Sequence, residues 1–502
     1  MTTIRAETQV LDAKPKTSSD RSHTRFLWIV LFVSASIIWL VPFNSSLWLD
    51  ELVTWWVIKD GLGDTVHRAF DFQGQTVIFY VLEWLVRHLG SQEWILRAPS
   101  LVEVIAAAFL FYRLAERLLD KEFARISVLL FVLWPSVSFE SSDARPYALA
   151  LLLLMAAVLM LIRWLDEPTL VRAAAFVVLA ALVGYAHLLF LLAVPPMLVY
   201  AVYRYRERST EVGFRALVGA FTLVTVLDLG LMTELVALFN RRGVLSLFDV
   251  VSFDTIARYS IPTAIFVAIL VGSIIALFTV GWRFVMPAFE HSAAIFLGWW
   301  LLFPTAVLIV VDLTTAIHLF EARYTLMAAP AAILLSAAIV RSIEPRMARS
   351  IIIGCVGVFS VIATLHLTKV GEDWRWGAAN VNARGTDHSV IFLQAGLIES
   401  EQLDWFSDPE RVSYLEAPAS YYHFDAPILP IPFLSTPASD AFVKAEVDGL
   451  SPDIDRVYFV SRYPGDPFGH YLDGLMSARG WTEKQVQTSG GTSVAEYDRP
   501  PP

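Results

Sequence analysis

Cysteine is almost missing from this chain: Cys355 is the single one in 502 residues. No disulfide framework can form, so a domain outside the cytoplasm must hold together by its core alone. Charge is scarce as well. Asp, Glu, Lys and Arg make up 17% of the residues, where a soluble protein carries about a quarter. The formal balance is −10, and Lys and Arg form no extended basic face, which argues against a nucleic-acid partner. No small-residue cleavage site follows the first apolar stretch, Phe26–Phe43, so it reads as a retained helix and not a signal peptide. No inverted repeat with Gly/Pro-broken helices is visible, which weighs against a transporter.

What is abundant is hydrophobic residue, 56% of the chain, and it is unevenly spread. Long apolar runs fill residues 26 to about 366, and the remainder is ordinary in polarity. A bilayer core needs about 20 apolar residues per helix. Eleven candidate spans result: 26–43, 98–112, 126–139, 147–163, 172–185, 187–203, 214–232, 263–281, 292–311, 324–340 and 350–367. With the N-terminus inside, inner loops carry 19 Lys and Arg and outer loops 9. That bias predicts a cytoplasmic N-terminus and, with an odd span count, an extracytoplasmic C-terminus. The fold class expected is a mainly α, polytopic membrane protein with a C-terminal soluble α/β domain. Residues 1–25 form a cytoplasmic tail, 26–368 the membrane domain and 369–502 the outer domain.

The first outer loop, 44–97, is long. Val77, Ile78, Phe79, Val81, Leu82, Leu85, Val86 and Leu89 form a broad apolar face, interrupted by Glu83, Arg87 and His88. This pattern suits a helix lying in the interface, and 51–62 suggests a second one. Another long outer loop, 233–262, contains Asn240-Arg241-Arg242-Gly243 and is a candidate lid. In the tail, 389–393, 456–461 and 493–497 read as short buried strands, with helices at 376–384, 434–447 and 471–479 between them. The tail has no Gly-rich phosphate fingerprint, no paired Cys and no evident triad.

Chemistry-bearing residues gather at the outer ends of the spans. Asp50 and Glu51 lie just past the first span. Helix neighbours point about 100° apart, so one of them can face a cavity while the other faces away. From position alone Asp50 reads equally as an N-cap of the helix at 51–62. Asp143 and Arg145 occupy a very short loop before Tyr147, where they either hold a phosphate, a hydroxyl or a metal, or pair with each other. Arg97 opens the second span, and Arg323-Tyr324 opens the tenth. An Arg there clamps a lipid phosphate through its planar fork or simply snorkels. His187 and His318 sit at outer edges, where a lone His is more often packed than a ligand. Glu103 and Asp228 fall inside spans, where an acid usually faces a cavity or partner.

In order and sidedness, Leu47-Trp48-Leu49-Asp50-Glu51, Arg97-Ala98-Pro99-Ser100, Ala144-Arg145-Pro146-Tyr147 and Arg323-Tyr324 resemble the polyprenyl-phosphate-sugar glycosyltransferases of the GT-C fold. The family-39-like group, with protein O-mannosyltransferases and lipid A aminoarabinose transferases, is the most similar over residues 26–370. The resemblance implies a glycosyltransferase of the plasma (inner) membrane and cell envelope. Its donor is a sugar on a polyprenyl phosphate, and its acceptor a hydroxyl of a lipid, glycan or protein on the outer face. It makes Asp50 the general base of an inverting transfer. Glu51, Arg97, Asp143, Arg145, Tyr147, Arg323 and Tyr324 become substrate-binding candidates. A divalent metal stays open, with Glu51, Asp143, His187 and His318 as candidate ligands. One departure is clear: Phe72-Gln73-Gly74-Gln75-Thr76 stands where relatives carry Pro and often Lys, so the phosphate contact of that lysine must come from elsewhere. The alternative function is a lipid-linked-sugar flippase or transporter, with Glu103 and Asp228 on its path. The tail, opening with Glu372-Asp373-Trp374-Arg375, is similar to the outer domains of some bacterial members.

Overall fold

A computed structural model describes residues 18–73, 77–240, 250–260, 262–285, 290–366, 371–462 and 467–499. Among them, seven helices are long and apolar enough to cross a membrane. Three shorter apolar helices and a thirteen-residue one, α5, join them. These occupy the eleven expected spans. In chain order they are α1 (Ser18–Leu40), then, after two helices of the first loop, α4 (Glu93–Leu118), α5 (Lys121–Leu133), α6 (Tyr147–Asp166), α7 (Leu170–Ala186), α8 (Val194–Arg206), α9 (Phe214–Asp228), α10 (Thr263–Thr279), α11 (His291–Thr314), α12 (Ala329–Arg341) and α13 (Arg346–His366). The loop helices are α2 (Leu49–Ile58) and α3 (Val77–Val86). Residues 1–17, 74–76 and the lid candidate's Arg241–Gly243 lie outside the described residues.

The span expected at 126–139 is not one helix. Pro135 cannot donate the next backbone bond, so α5 ends at Leu133 and a short helix, Pro135–Glu140, starts afresh. At about 1.5 Å per residue α5 is too short for the bilayer core. It is nonetheless buried from Ile126 to Trp134, so neighbouring helices, not lipid, surround it.

The end of the bundle away from the first loop is tied by ion pairs: Arg349–Glu122 at 3.1 Å, Arg341–Asp120 at 3.0 Å and Arg204–Asp166 at 3.1 Å. The other end carries the long first loop and the C-terminal domain. There α3 turns Phe79, Tyr80 and Glu83 inward and leaves Ile78 and Leu85 exposed, as a helix half-sunk in an interface should.

The C-terminal domain is a five-stranded sheet ordered β2-β1-β3-β5-β4, with β1 Ser389–Gln394, β2 Ile428–Pro430, β3 Arg456–Ser461, β4 Thr482–Ser489 and β5 Thr492–Asp498. β1 pairs in parallel with β2 and β3, while β5 runs antiparallel to β3 and β4. The two strands not expected from sequence are the two edges. β2 is three residues ending in Pro, and β4 is polar and mostly exposed, which suits an edge and hides it from pattern reading.

A division at 368/369 follows chain order, but in space the first loop belongs with the C-terminal domain. Leu47, Leu52 and Trp56 are fully buried in one apolar core with Trp374, Tyr414, Ala417 and Tyr422. The Trp56 and Tyr414 rings meet at 5.2 Å, and the Trp56 indole donates to Ser413 Oγ at 3.0 Å. The Trp55 indole donates to the Ser420 carbonyl at 3.0 Å. Truncating Leu52 to Ala is expected to cost about 2–5 kcal/mol. Tryptophan fluorescence of the purified protein should then show the C-terminal domain melting earlier; an unchanged midpoint would mean that α2 lies outside that core.

Candidate active site

The site is built at the start of α2. Trp48 is extended and forms the N-cap; Glu51, three residues on, reaches back to accept the Trp48 N–H at 3.2 Å. The capping residue is therefore Glu51, not Asp50. Its carboxylate also takes the Ala144 N–H at 3.0 Å and the Arg97 Nε–H at 2.7 Å. Arg97 completes a two-pronged pair through Nη2 and donates to the carbonyls of Ser45 at 2.8 Å, Phe43 at 3.0 Å and Ser46 at 3.1 Å. Both side chains are 0% exposed. Arg97 therefore does not snorkel, and Glu51 faces inward, into its pair with Arg97. A buried pair of this kind persists only when nearly every donor and acceptor is matched.

Asp50 points the other way. It lies in the first turn of α2, where the helix dipole favours a carboxylate, and its side chain is 24% exposed. Its Oδ2 accepts from Arg323 Nη1 at 2.6 Å, and Arg145 Nη2 stands 3.9 Å away. Arg145 Nη1 also lies 3.5 Å from the Asp50 carbonyl and from the Tyr80 hydroxyl. Burial pushes the Asp50 carboxyl upward, but the charges of Arg145, Arg323 and Arg462 outweigh it and hold the group below its ordinary value. Tyr80 is raised to about 12, chiefly by burial, and remains a neutral phenol.

The remaining candidates form the wall. Asp143 Oδ1 accepts the Trp48 indole N–H at 2.8 Å, so it braces the N-cap. Tyr147 is buried and its ring lies 4.7 Å from His187 and 6.4 Å from Tyr324. Arg323 stacks over Tyr324 at 5.1 Å. The His187 ring also packs against Phe190, with centroids 5.6 Å apart. His318 Nδ1 lies 3.3 Å from Asp312, which also accepts the Val251 N–H at 2.8 Å. Among the described residues, no group of three or more His, Cys, Asp or Glu side chains is arranged to hold a metal ion. The four candidate ligands are thus dispersed: one caps a helix, one braces the cap, one stacks and one pairs.

Three contributors were not singled out from the sequence. Tyr80 is hidden in the apolar face of α3. Arg462 directly follows β3, and Glu372 opens the tail; only the fold brings these two to Asp50. Inside the bundle end, Glu83 is fully buried, its carboxyl pushed well up by burial and by Glu103 and Glu51.

Chemically, the site offers one ionised carboxylate facing two guanidinium groups over an aromatic wall. It can take a proton from a hydroxyl while binding an anion. Residues 75–228 match the family described as dolichyl-phosphate-mannose-protein mannosyltransferase. No curated protein sequence matches the chain. Among solved structures, ArnT from Cupriavidus metallidurans bound to undecaprenyl phosphate covers 93% of this chain and 98% of its own, with TM-score 0.54 and 12% identity. Its apo form covers 94% and 98%, with TM-score 0.54 and 11% identity. The mycobacterial arabinofuranosyltransferase AftD covers 94% of this chain and 41% of its own, with TM-score 0.48 and 15% identity. The likeness to ArnT shows the fold: a helical membrane bundle of the GT-C type with a C-terminal α/β domain.

Removing one partner of the buried pair strands the other's charge, which costs about 3–5 kcal/mol. Arg97→Met should therefore lower the thermal midpoint and yield sharply, and the double variant Arg97→Met/Glu51→Gln should be less damaged than Arg97→Met alone. Equal damage in both, read by fluorescence melting in detergent, would contradict this account.

Proposed function

We propose that the chain is a membrane glycosyltransferase that moves a sugar from a polyprenyl phosphate to an acceptor hydroxyl, with Asp50 as general base. The fold and the match over 75–228 support a membrane enzyme acting on a lipid-linked sugar. The single observation that carries the catalytic reading is the Asp50 carboxylate held between Arg323 and Arg145 at the bundle's end. The Lys/Arg bias supports a reading in which that end lies on the outer face of the inner membrane, with the N-terminus cytoplasmic.

In this mechanism Asp50 takes the proton of the acceptor hydroxyl as its oxygen attacks the anomeric carbon. The bond from that carbon to the phosphate oxygen breaks, its electron pair leaves with the lipid phosphate, and the configuration inverts. A phosphate is already a good leaving group, so no strong general acid is required. Arg323 and Arg145 take up the developing charge, in place of the lysine missing from 72–76. Donor binding also changes Asp50. As the phosphate engages Arg323, the carboxylate loses its hydrogen-bonded counter-ion and becomes a better base.

Asp50→Asn should lower the turnover number about 10²- to 10⁴-fold while folding and donor binding survive. Near-normal transfer by the purified variant would sink the assignment. A pH prediction follows from the depressed carboxyl. A group whose native pKa is lowered stays ionised, and contributes its pairing energy, above its unfolded pKa; both are lost as pH falls through the native value. Asp50 should thus impose no acidic limb on kcat/KM between about pH 5 and 8. Arg323→Gln should move that limb upward, and an unmoved limb would show that Arg323 does not set the ionisation of Asp50.

A further inference from the structure

We propose that Glu372 and Arg462 of the C-terminal domain are positioning residues for Asp50, forming a clasp that fixes the first turn of α2 from outside the membrane bundle. The proposal rests on reading Asp50 as the general base.

The first backbone N–H groups of a helix have no partner within it. Here the Leu49 N–H, on the residue before Asp50, donates to Glu372 Oε2 at 2.8 Å. The Leu47 N–H donates to the Tyr422 hydroxyl at 2.8 Å. Of the three consecutive N–H groups of residues 47–49, two are therefore held by the C-terminal domain and one by Glu51. Glu372 is itself immobilised. Its Oε2 also accepts the Trp374 indole N–H at 2.8 Å, its Oε1 pairs with Arg462 Nε at 2.6 Å, and its side chain is 3% exposed. The backbone at Glu372 bridges to Gly490, which has φ 57° and lies so close that a β-carbon there would run into the Gly371 carbonyl. Only glycine fits both demands.

The clasp acts on Asp50 by geometry and by charge. Asp50 is bonded to Leu49, so displacement of that N–H moves the carboxylate relative to Arg323 and Arg145. The groups facing Asp50 are Arg145 and Arg323 from the bundle loops, Tyr80 from α3, and Arg462 and Glu372 from the C-terminal domain. Arg462 adds a third cation, and Glu372 tempers it. The domain thus supplies part of the field in which the base works, and is more than a cover for the loop.

Two readouts on the purified full-length protein test this. With undecaprenyl-phosphate mannose as probe donor and release of undecaprenyl phosphate as signal, Glu372→Ala should lower kcat per folded molecule about 10- to 100-fold, with KM little changed. Glu372→Gln, which keeps an acceptor for Leu49, should restore most of it. Independently of any turnover, the infrared carboxylate band of Asp50, taken as the difference from Asp50→Asn, reports its titration. Arg462→Gln should raise the midpoint by about one pH unit, and Arg462→Lys should leave it in place. A role confined to stability would lower the folded fraction in these variants without moving kcat per folded molecule or the Asp50 midpoint, and that result overturns the clasp. If Glu372→Ala does not fold, the Arg462 titration decides alone. If Asp50→Asn retains transfer while Arg462→Gln still shifts the midpoint, the clasp stands and the general-base reading falls.

Discussion

The buried pair of Glu51 and Arg97 is the contact on which the rest of the site depends. Placing two charges at zero exposure is costly, and the cost is offset only because the polar contacts are numerous. Arg97 holds Glu51 through two nitrogens and draws in the carbonyls of residues 42, 43, 45 and 46. Glu51 in turn caps α2 and receives the Ala144 N–H. One pair thereby joins the end of the first span, the start of α2, the start of α4 and the loop that carries Arg145. A lysine could not replace the arginine: it has three donors radiating from one point, and the carbonyls and carboxylate here need a planar fork.

The electrostatics follow from that frame. The positive field at Asp50 comes from Arg145, Arg323 and Arg462, each on a different segment. The Tyr80 phenol beside them adds no charge, because burial raises it until it stays neutral. A site with a surplus of fixed cations and a single facing carboxylate favours an anion that arrives beside a hydroxyl. In the proposed transfer such a site would stabilise a separating phosphate more than a neutral bound sugar, and a difference of that kind accelerates a reaction.

The helices were legible in the sequence because a bilayer imposes its thickness on them and their apolar runs record it. The exception is instructive. Residues 126–139 are apolar enough for a span, but Pro135 breaks them, and complete burial removes the need for a full-length helix. In the tail, the three buried strands β1, β3 and β5 showed themselves through continuous apolar runs, whereas the edge strands β2 and β4 had no inner face to reveal them. The site was half legible. Asp50, Arg145 and Arg323 stand at the ends of apolar runs, where charge is conspicuous. Tyr80 lies in a run that reads as lipid-facing, and Glu372 and Arg462 lie in ordinary soluble sequence. Nothing local marks them, because Glu372 acts on Leu49 from far along the chain and Arg462 acts through its pair with Glu372.

The division of labour between Asp50 and Glu51 can be argued from one methylene and 100° of helix rotation. The residue at position 51 stands third in the helix, where a side chain must arch back to the cap and also span to Arg97 and Ala144. A glutamate is long enough for all three; an aspartate would have to abandon one and leave a buried donor unpaired, which costs about 1–3 kcal/mol. The residue at position 50 is turned toward the mouth of the site, where Arg323 and Arg145 approach from two sides. A short aspartate has few rotamers and holds its oxygens close to the rigid first turn of α2, which suits a base that must meet its proton in a fixed place. A glutamate there would carry the carboxylate further into the space between the arginines, where the proposed mechanism puts the phosphate. The two acids are neighbours in sequence yet cannot exchange roles. The inner one makes the frame rigid, and in the proposed mechanism that rigidity is what the outer one depends on.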